Sequence, residues 1–284
     1  MHSTLNHRGR TRRLVAGVAL AALALGASAC GDDDDSAASE TTEAETTETT
    51  ETTGEEQAAD EPVAADEFCS AFVDLETAFA AAPSDDQEAL IPYIQEEIMP
   101  PLETVKGSSP EDIADEITVM TEAVELVTSA GDFSGFESEG FAAASAVVYP
   151  WIGENCELTW VEAVAIDFGY EGVPDELASG PTVITLDNQS AAGEAHEMAF
   201  ARVNDGVDLD LHELLALPME ELEQNVTIAT GVWAMPDQVG GTVLDLTPGR
   251  WVYVCLIPTG SVDGAEGDGP PHVAHGMSGE FIVS

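Results

Sequence analysis

The residue types best able to do chemistry in this chain are a thiol, three imidazoles and a thioether. Cys255 closes the apolar run Arg250-Trp251-Val252-Tyr253-Val254-Cys255, and a Gly- and Asp-rich stretch leads on to Pro271-His272-Val273-Ala274-His275-Gly276-Met277. Far upstream, Gly193-Glu194-Ala195-His196-Glu197 supplies another imidazole. The chain has six histidines, of which His2 and His7 lie at its very start; of the other four, only His212 falls outside these two segments. Soft sulfur together with imidazole is a ligand set that suits copper, whereas carboxylate and carbonyl oxygens suit calcium or magnesium. The chemistry to expect is therefore copper binding, and His196, Cys255, His272, His275 and Met277 are the candidate donors. His212, on a helix-forming insertion around Leu211, Leu214 and Leu215, is expected at the surface.

The elements that must position these residues are strands. From Leu158 onward the pattern has a period near two: Val161 to Phe168, Thr182 to Leu186, Met198 to Val203, Thr242 to Leu246, Trp251 to Ile257 and Glu280 to Val283 each read as short strands set off by Gly and Pro. Such a series indicates an antiparallel sandwich over residues 158–284. Cys255 ends one strand, and the His272–Met277 segment precedes the last.

Residues 66–157 have a helical period instead. Phe68, Phe72, Leu75 and Phe79 share one helix face, and Pro92 marks a kink in a second helix. Ile113, Ile117, Met120, Val124 and Val127 form the stripe of a third helix ending at Gly131, and an Ala-rich fourth runs from about Glu137 to Tyr149. Cys69 and Cys156 bracket this region, and in an exported chain they are expected to form a disulfide closing the bundle.

Charge narrows the partners. There are 55 Asp and Glu against 7 Lys and Arg, and four of the seven cations (Arg8, Arg10, Arg12, Arg13) precede the first apolar run. A surface this acidic repels phosphate backbones, which argues against nucleic acid. It would attract cations or a basic partner such as a redox protein, and solubility in a salty environment, where screening removes the self-repulsion, is the alternative that weighs more. No Ser-His-Asp set, P-loop or Rossmann glycine pattern is present, so no catalytic residue is assigned.

Residues 1–30 read as an export signal: a basic start, an apolar run from Leu14 to Leu25, then Ala27-Ser28-Ala29-Cys30. Small residues directly before a cysteine resemble the lipobox of bacterial lipoproteins. That resemblance implies lipidation at Cys30 and an extracytoplasmic, membrane-anchored protein; ordinary secretory cleavage is the alternative. Residues 31–65, rich in Asp, Thr and Glu, lack apolar periodicity and read as a disordered spacer.

With these residues in place, the C-terminal part resembles the cupredoxin, or blue-copper, family. Pro271-His272-Val273-Ala274-His275-Gly276-Met277 is similar to the family's His-x4-Met ending, and Asn188 followed by His196 is similar to its first-histidine segment. The resemblance implies an α+β chain: a helical bundle, then a Greek-key cupredoxin-like sandwich. It also implies a type 1 copper held by His196, Cys255 and His272 with Met277 as weak axial ligand, and a role in electron transfer or copper handling. Two features depart from the family: the sixteen residues 256–271 exceed its usual loop, and Glu197 stands where many members have Asn. A metal-free sandwich serving as a binding module is the alternative.

Overall fold

The computed structural model describes residues 61–83, 87–132, 134–262 and 264–284. The export signal and Cys30 lie outside the described residues, as does most of the acidic spacer.

Five α-helices come first: α1 (Glu61–Ala80), α2 (Gln87–Tyr93), α3 (Met99–Gly107), α4 (Ala114–Ala130) and α5 (Glu139–Asn155). Helix α1 begins inside the stretch expected to be spacer, at Glu61-Pro62, residue types that a first helical turn accepts. Its apolar face is buried through Phe68, Phe72 and Leu75. The kink expected at Pro92 takes the form of a π-helical turn over Ile94–Ile98, which joins α2 to α3. Helix α4 ends on Gly131, whose φ of 66° is the left-handed conformation that glycine adopts without a steric penalty. Helix α5 is capped by Ser138, whose hydroxyl accepts from the amide of Phe141, and runs through Pro150 beyond the expected end at Tyr149. Burial of Ile152 and the Cys69–Cys156 disulfide hold that last turn in place. The two half-cystines are 87 residues apart. By the chain-entropy relation, closing so long a loop contributes about 4.6 kcal/mol.

Nine strands follow: β1 (Thr159–Ile166), β2 (Gly169–Glu171), β3 (Glu176–Leu177), β4 (Gly180–Asn188), β5 (His196–Val203), β6 (Val226–Ala234), β7 (Val239–Leu246), β8 (Gly249–Val254) and β9 (Ser278–Val283). Two short helices, α6 (Leu211–Leu215) and α7 (Met219–Asn225), interrupt between β5 and β6. The strands form two sheets, in the orders β2-β1-β4-β7 and β3-β9-β8-β5-β6. The purely antiparallel arrangement is corrected here: β1 pairs parallel with β4, and β3 parallel with β9. After the β1–β2 hairpin the chain crosses to the second sheet as β3, then returns to the first, so β4 re-enters in the direction of β1.

Val161, Ala163, Ala165, Ile184, Leu186, Leu244 and Leu246 meet Met198, Phe200, Trp251, Tyr253 and Phe281 between the sheets. On the outer face of the first sheet, Val183 and Val243 join the helical core of Phe72, Leu75, Tyr149 and Ile152. Strand β4 is thus covered on both faces, and every residue from Thr182 to Leu186 is buried, the two threonines included. At this seam Glu76 of α1 accepts from the Tyr149 hydroxyl (3.0 Å) and from the Val243 amide of β7 (3.2 Å), tying two helices to a sheet edge. The Tyr149 ring also fixes the identity of Gly241, where an added Cβ would fall 2.0 Å from the ring.

Candidate metal centre

His196 is the first residue of β5, and the segment before it is set by the fully buried Asn188 at the end of β4. The Asn188 amide group donates to the carbonyls of Glu194 and Ala234, each at 2.9 Å, and its Oδ1 accepts from the Ser190 amide. Cys255 follows the last residue of β8. Its amide donates to the Met277 carbonyl (3.1 Å) and its carbonyl accepts from Val273 (2.8 Å), while the Met277 amide donates to the His272 carbonyl (3.2 Å). Residues His272–His275 form a single 3-10 turn, closed by Gly276 at a φ of 100°. That turn carries the His272 ring inward and the His275 ring outward.

The outcome is a cluster of His196, Cys255 and His272, all with 0% exposure. The two Nδ1 atoms are 3.0 Å apart; Cys255 Sγ is 3.3 Å from Nδ1 of His272 and 3.9 Å from that of His196. Metal–nitrogen and metal–sulfur bonds are about 2.0 and 2.3 Å, so each separation is shorter than the two bonds that would bridge it. One ion can therefore reach all three donors. Met277 is fully buried in the same core as Cys255. His275 is exposed and packs instead on Phe168, with ring centroids 4.7 Å apart.

The surroundings press the ligands toward uncharged forms. Burial pushes the Cys255 thiol up to about 12. Burial, and then the neighbouring His272, lower His196 to about 4. A thiol held so high has little thiolate at neutral pH unless a cation sits beside it, and a bound metal deprotonates it outright. The His196 Nε2 atom is buried without a partner. Two imidazoles and one thiol, dry and convergent, fit a type 1 copper centre.

Several neighbours also shape the centre, and of these only Glu197 stood out in the sequence. The Phe168 ring covers His272 edge-on at 5.3 Å and is aimed there by a φ of 59° in the β1–β2 turn. The Tyr170 hydroxyl donates to the Glu197 carbonyl, and the Glu197 carboxylate accepts from the amide of Leu256, next to the cysteine (2.8 Å). Burial raises Glu197 despite that bond. Glu194 Oε2 lies 2.7 Å from His272 Nε2, close enough for an ion-pair contact but too oblique for a well-formed hydrogen bond. His212, in α6, is exposed and remote from the cluster.

No protein-family model matches the chain, and no curated protein matches it. Among solved structures it is similar to auracyanin B, at 18% identity over 44% of this chain and 88% of that one, with a TM-score of 0.29. It is also similar to auracyanin A, a "blue" copper protein from Chloroflexus aurantiacus (15% identity, 44% and 98% covered, TM-score 0.29). Rusticyanin from Thiobacillus ferrooxidans is a third (18% identity, 45% and 80% covered, TM-score 0.26). The assignment of the centre rests on its own donor atoms.

Proposed function

We propose that this chain is a cupredoxin-like mononuclear copper protein that carries electrons or handles copper, tethered outside the cytoplasm through a lipid on Cys30. The observation that supports it most is the buried convergence of His196, Cys255 and His272. Copper, when bound, supplies one-electron exchange between Cu(I) and Cu(II). The chain's own residues do the rest. Cys255 would give the thiolate that favours Cu(I), and His196 and His272 the imidazoles that serve both states. Met277 would be the weak axial donor. The β8–β9 hydrogen bonds, with Cys255 and Met277 holding each other's backbones, keep the donors in one arrangement, so little has to move when an electron passes. Full burial keeps water from the thiolate.

Titrating the full chain with Cu(II) should give one equivalent bound and an intense blue or green thiolate charge-transfer band. Absence of binding by both Cu(I) and Cu(II) would leave the metal-free binding module as the better account. The tether has its own test. Cys30→Ala should move the protein from the membrane fraction to the soluble one, or block its processing; a variant that stays membrane-bound and is processed normally means the small-residue stretch is only a secretory cleavage site.

A further inference from the structure

We infer that Glu194 is a positioning residue of this centre, its carboxylate clamping the long segment between Cys255 and His272 onto the strand that carries His196 and holding the His272 ring from its far edge. The inference rests on the copper reading above, and it accounts for the loop that departs in length from the blue-copper pattern.

The segment after Cys255 folds as a small hairpin. The Thr259 amide donates to the Pro270 carbonyl (2.9 Å), the Gly269 amide to the Thr259 carbonyl (3.1 Å), and Pro258 and Pro271 form a bridge at its base. Inside it, the buried Ser261 hydroxyl donates to the Pro258 carbonyl and accepts from the Gly267 amide. Gly267 crosses so close that an added Cβ would fall 2.2 Å from the Thr259 oxygen.

This hairpin is then pinned to the approach to His196. Glu194 forms a bridge with Val262, and the Ala195 amide donates to the Ser261 carbonyl at 3.1 Å. The Glu194 side chain completes the join. Its Oε1 accepts from the Gly260 amide at 2.7 Å, and its Oε2 faces His272 Nε2 at 2.7 Å. Oε1 is hydrogen-bonded, Oε2 makes the oblique ion-pair contact with the ring, and the residue is 8% exposed. One carboxylate thus reaches the loop and the ring together, beside the packing of Phe168 and the backbone bonds that already hold His272.

The electrostatic consequence follows from the atoms touched. A carboxylate against Nε2 favours the tautomer that carries its proton there, which leaves the Nδ1 lone pair toward Cys255 and His196. It also makes the imidazole a stronger donor and adds negative charge beside the centre, favouring Cu(II) over Cu(I). His196 has no such partner at its Nε2, so the two imidazoles are not equivalent.

The test uses the full chain with Glu194→Gln and Glu194→Ala. Loss of a carboxylate behind a metal-bound histidine costs about 10–100-fold in metal affinity, and Glu194→Ala should fall in that range by chelator competition. Glu194→Gln, which keeps an oxygen for the Gly260 amide but loses the charge, should bind copper more tightly than Glu194→Ala. Both should have a higher reduction potential than the parent. In the copper-free protein, nitrogen-15 spectra should show His272 protonated at Nε2, with that preference lost in Glu194→Ala and faster amide exchange at Gly260. Unchanged affinity and potential in both variants would overturn the inference, as would a parent His272 protonated at Nδ1. If the parent binds no copper at all, the copper reading fails, and the ring and amide signals of the copper-free protein still decide whether the clamp exists.

Discussion

Cys255→Ser is expected to abolish the coloured band entirely, even where some copper remains bound through imidazoles. The thiolate is the source of the charge transfer, and a serine hydroxyl is a hard, weakly acidic substitute that this dry site will not ionise. His196→Ala and His272→Ala each remove one of three donors that meet within 4.8 Å. Their loss of affinity should be at least the roughly 10–100-fold known for partners lying behind metal ligands. Met277→Leu conserves volume in a fully buried position, so the fold should persist; copper should be retained and its potential shifted, because the axial bond is long and weak. His275→Ala should leave the centre almost intact, since that ring packs on Phe168 and is absent from the donor cluster. Absorption and copper content, measured together on the five variants, separate loss of colour from loss of metal. An emptied site in His275→Ala with copper retained in His272→Ala would mean that the wrong histidine has been assigned.

The convergent trio His196, Cys255 and His272 was legible as a candidate in the sequence because its residue types are rare in this chain. Val161–Ile166 was legible because alternation survives where one face meets the core, and Trp251–Val254 because it is a short aromatic and β-branched run, buried on both faces. Strand β6 was not. It is an edge strand, with Ile228 and Trp233 exposed and Gly231 in its middle, so it carries no clean period. The parallel pairing of β1 with β4 depends on a crossing through the other sheet, which no local pattern encodes. The choice between His272 and His275 was equally hidden, since it is made by one turn of 3-10 helix ended by Gly276. Glu194 was hidden for a different reason. Among 55 acidic residues, one that points inward looks like all the others until the backbone amide of Gly260 is seen to bond it.

Glu76 should make the copper-free protein less stable as the pH rises from about 4.5 to about 7. Burial in the helix–sheet seam is the dominant cause, and it lifts this carboxyl from 4.5 to about 7, against the hydrogen bonds from Val243 and Tyr149. The folded state therefore holds a proton through a range in which the unfolded chain has lost it. Stability depends on pH as the protons bound by the unfolded state minus those bound by the folded state, a negative difference here. The stabilising contribution is complete below pH 4.5, declines as pH rises through about 7, and is absent above. At 1.36 kcal/mol per pH unit the whole change is at most ~3.4 kcal/mol. Tyr149, raised well above its ordinary value by burial and by Glu76, stays neutral throughout and adds no slope. Glu76→Gln keeps an acceptor for the Val243 amide and cannot ionise. Its unfolding free energy should exceed the parent's by about 1–3 kcal/mol at pH 8, and the gap should close near pH 5. Glu76→Ala, which strands the Tyr149 hydroxyl and the Val243 amide at the seam, should be the less stable of the two variants at every pH. Denaturant unfolding of all three proteins at pH 5, 6, 7 and 8 gives the comparison, and subtracting variant from parent cancels the slope from the other acidic residues. A difference between parent and Glu76→Gln that does not change from pH 5 to pH 8 would show that this carboxyl is ionised in the fold and that the seam is wet.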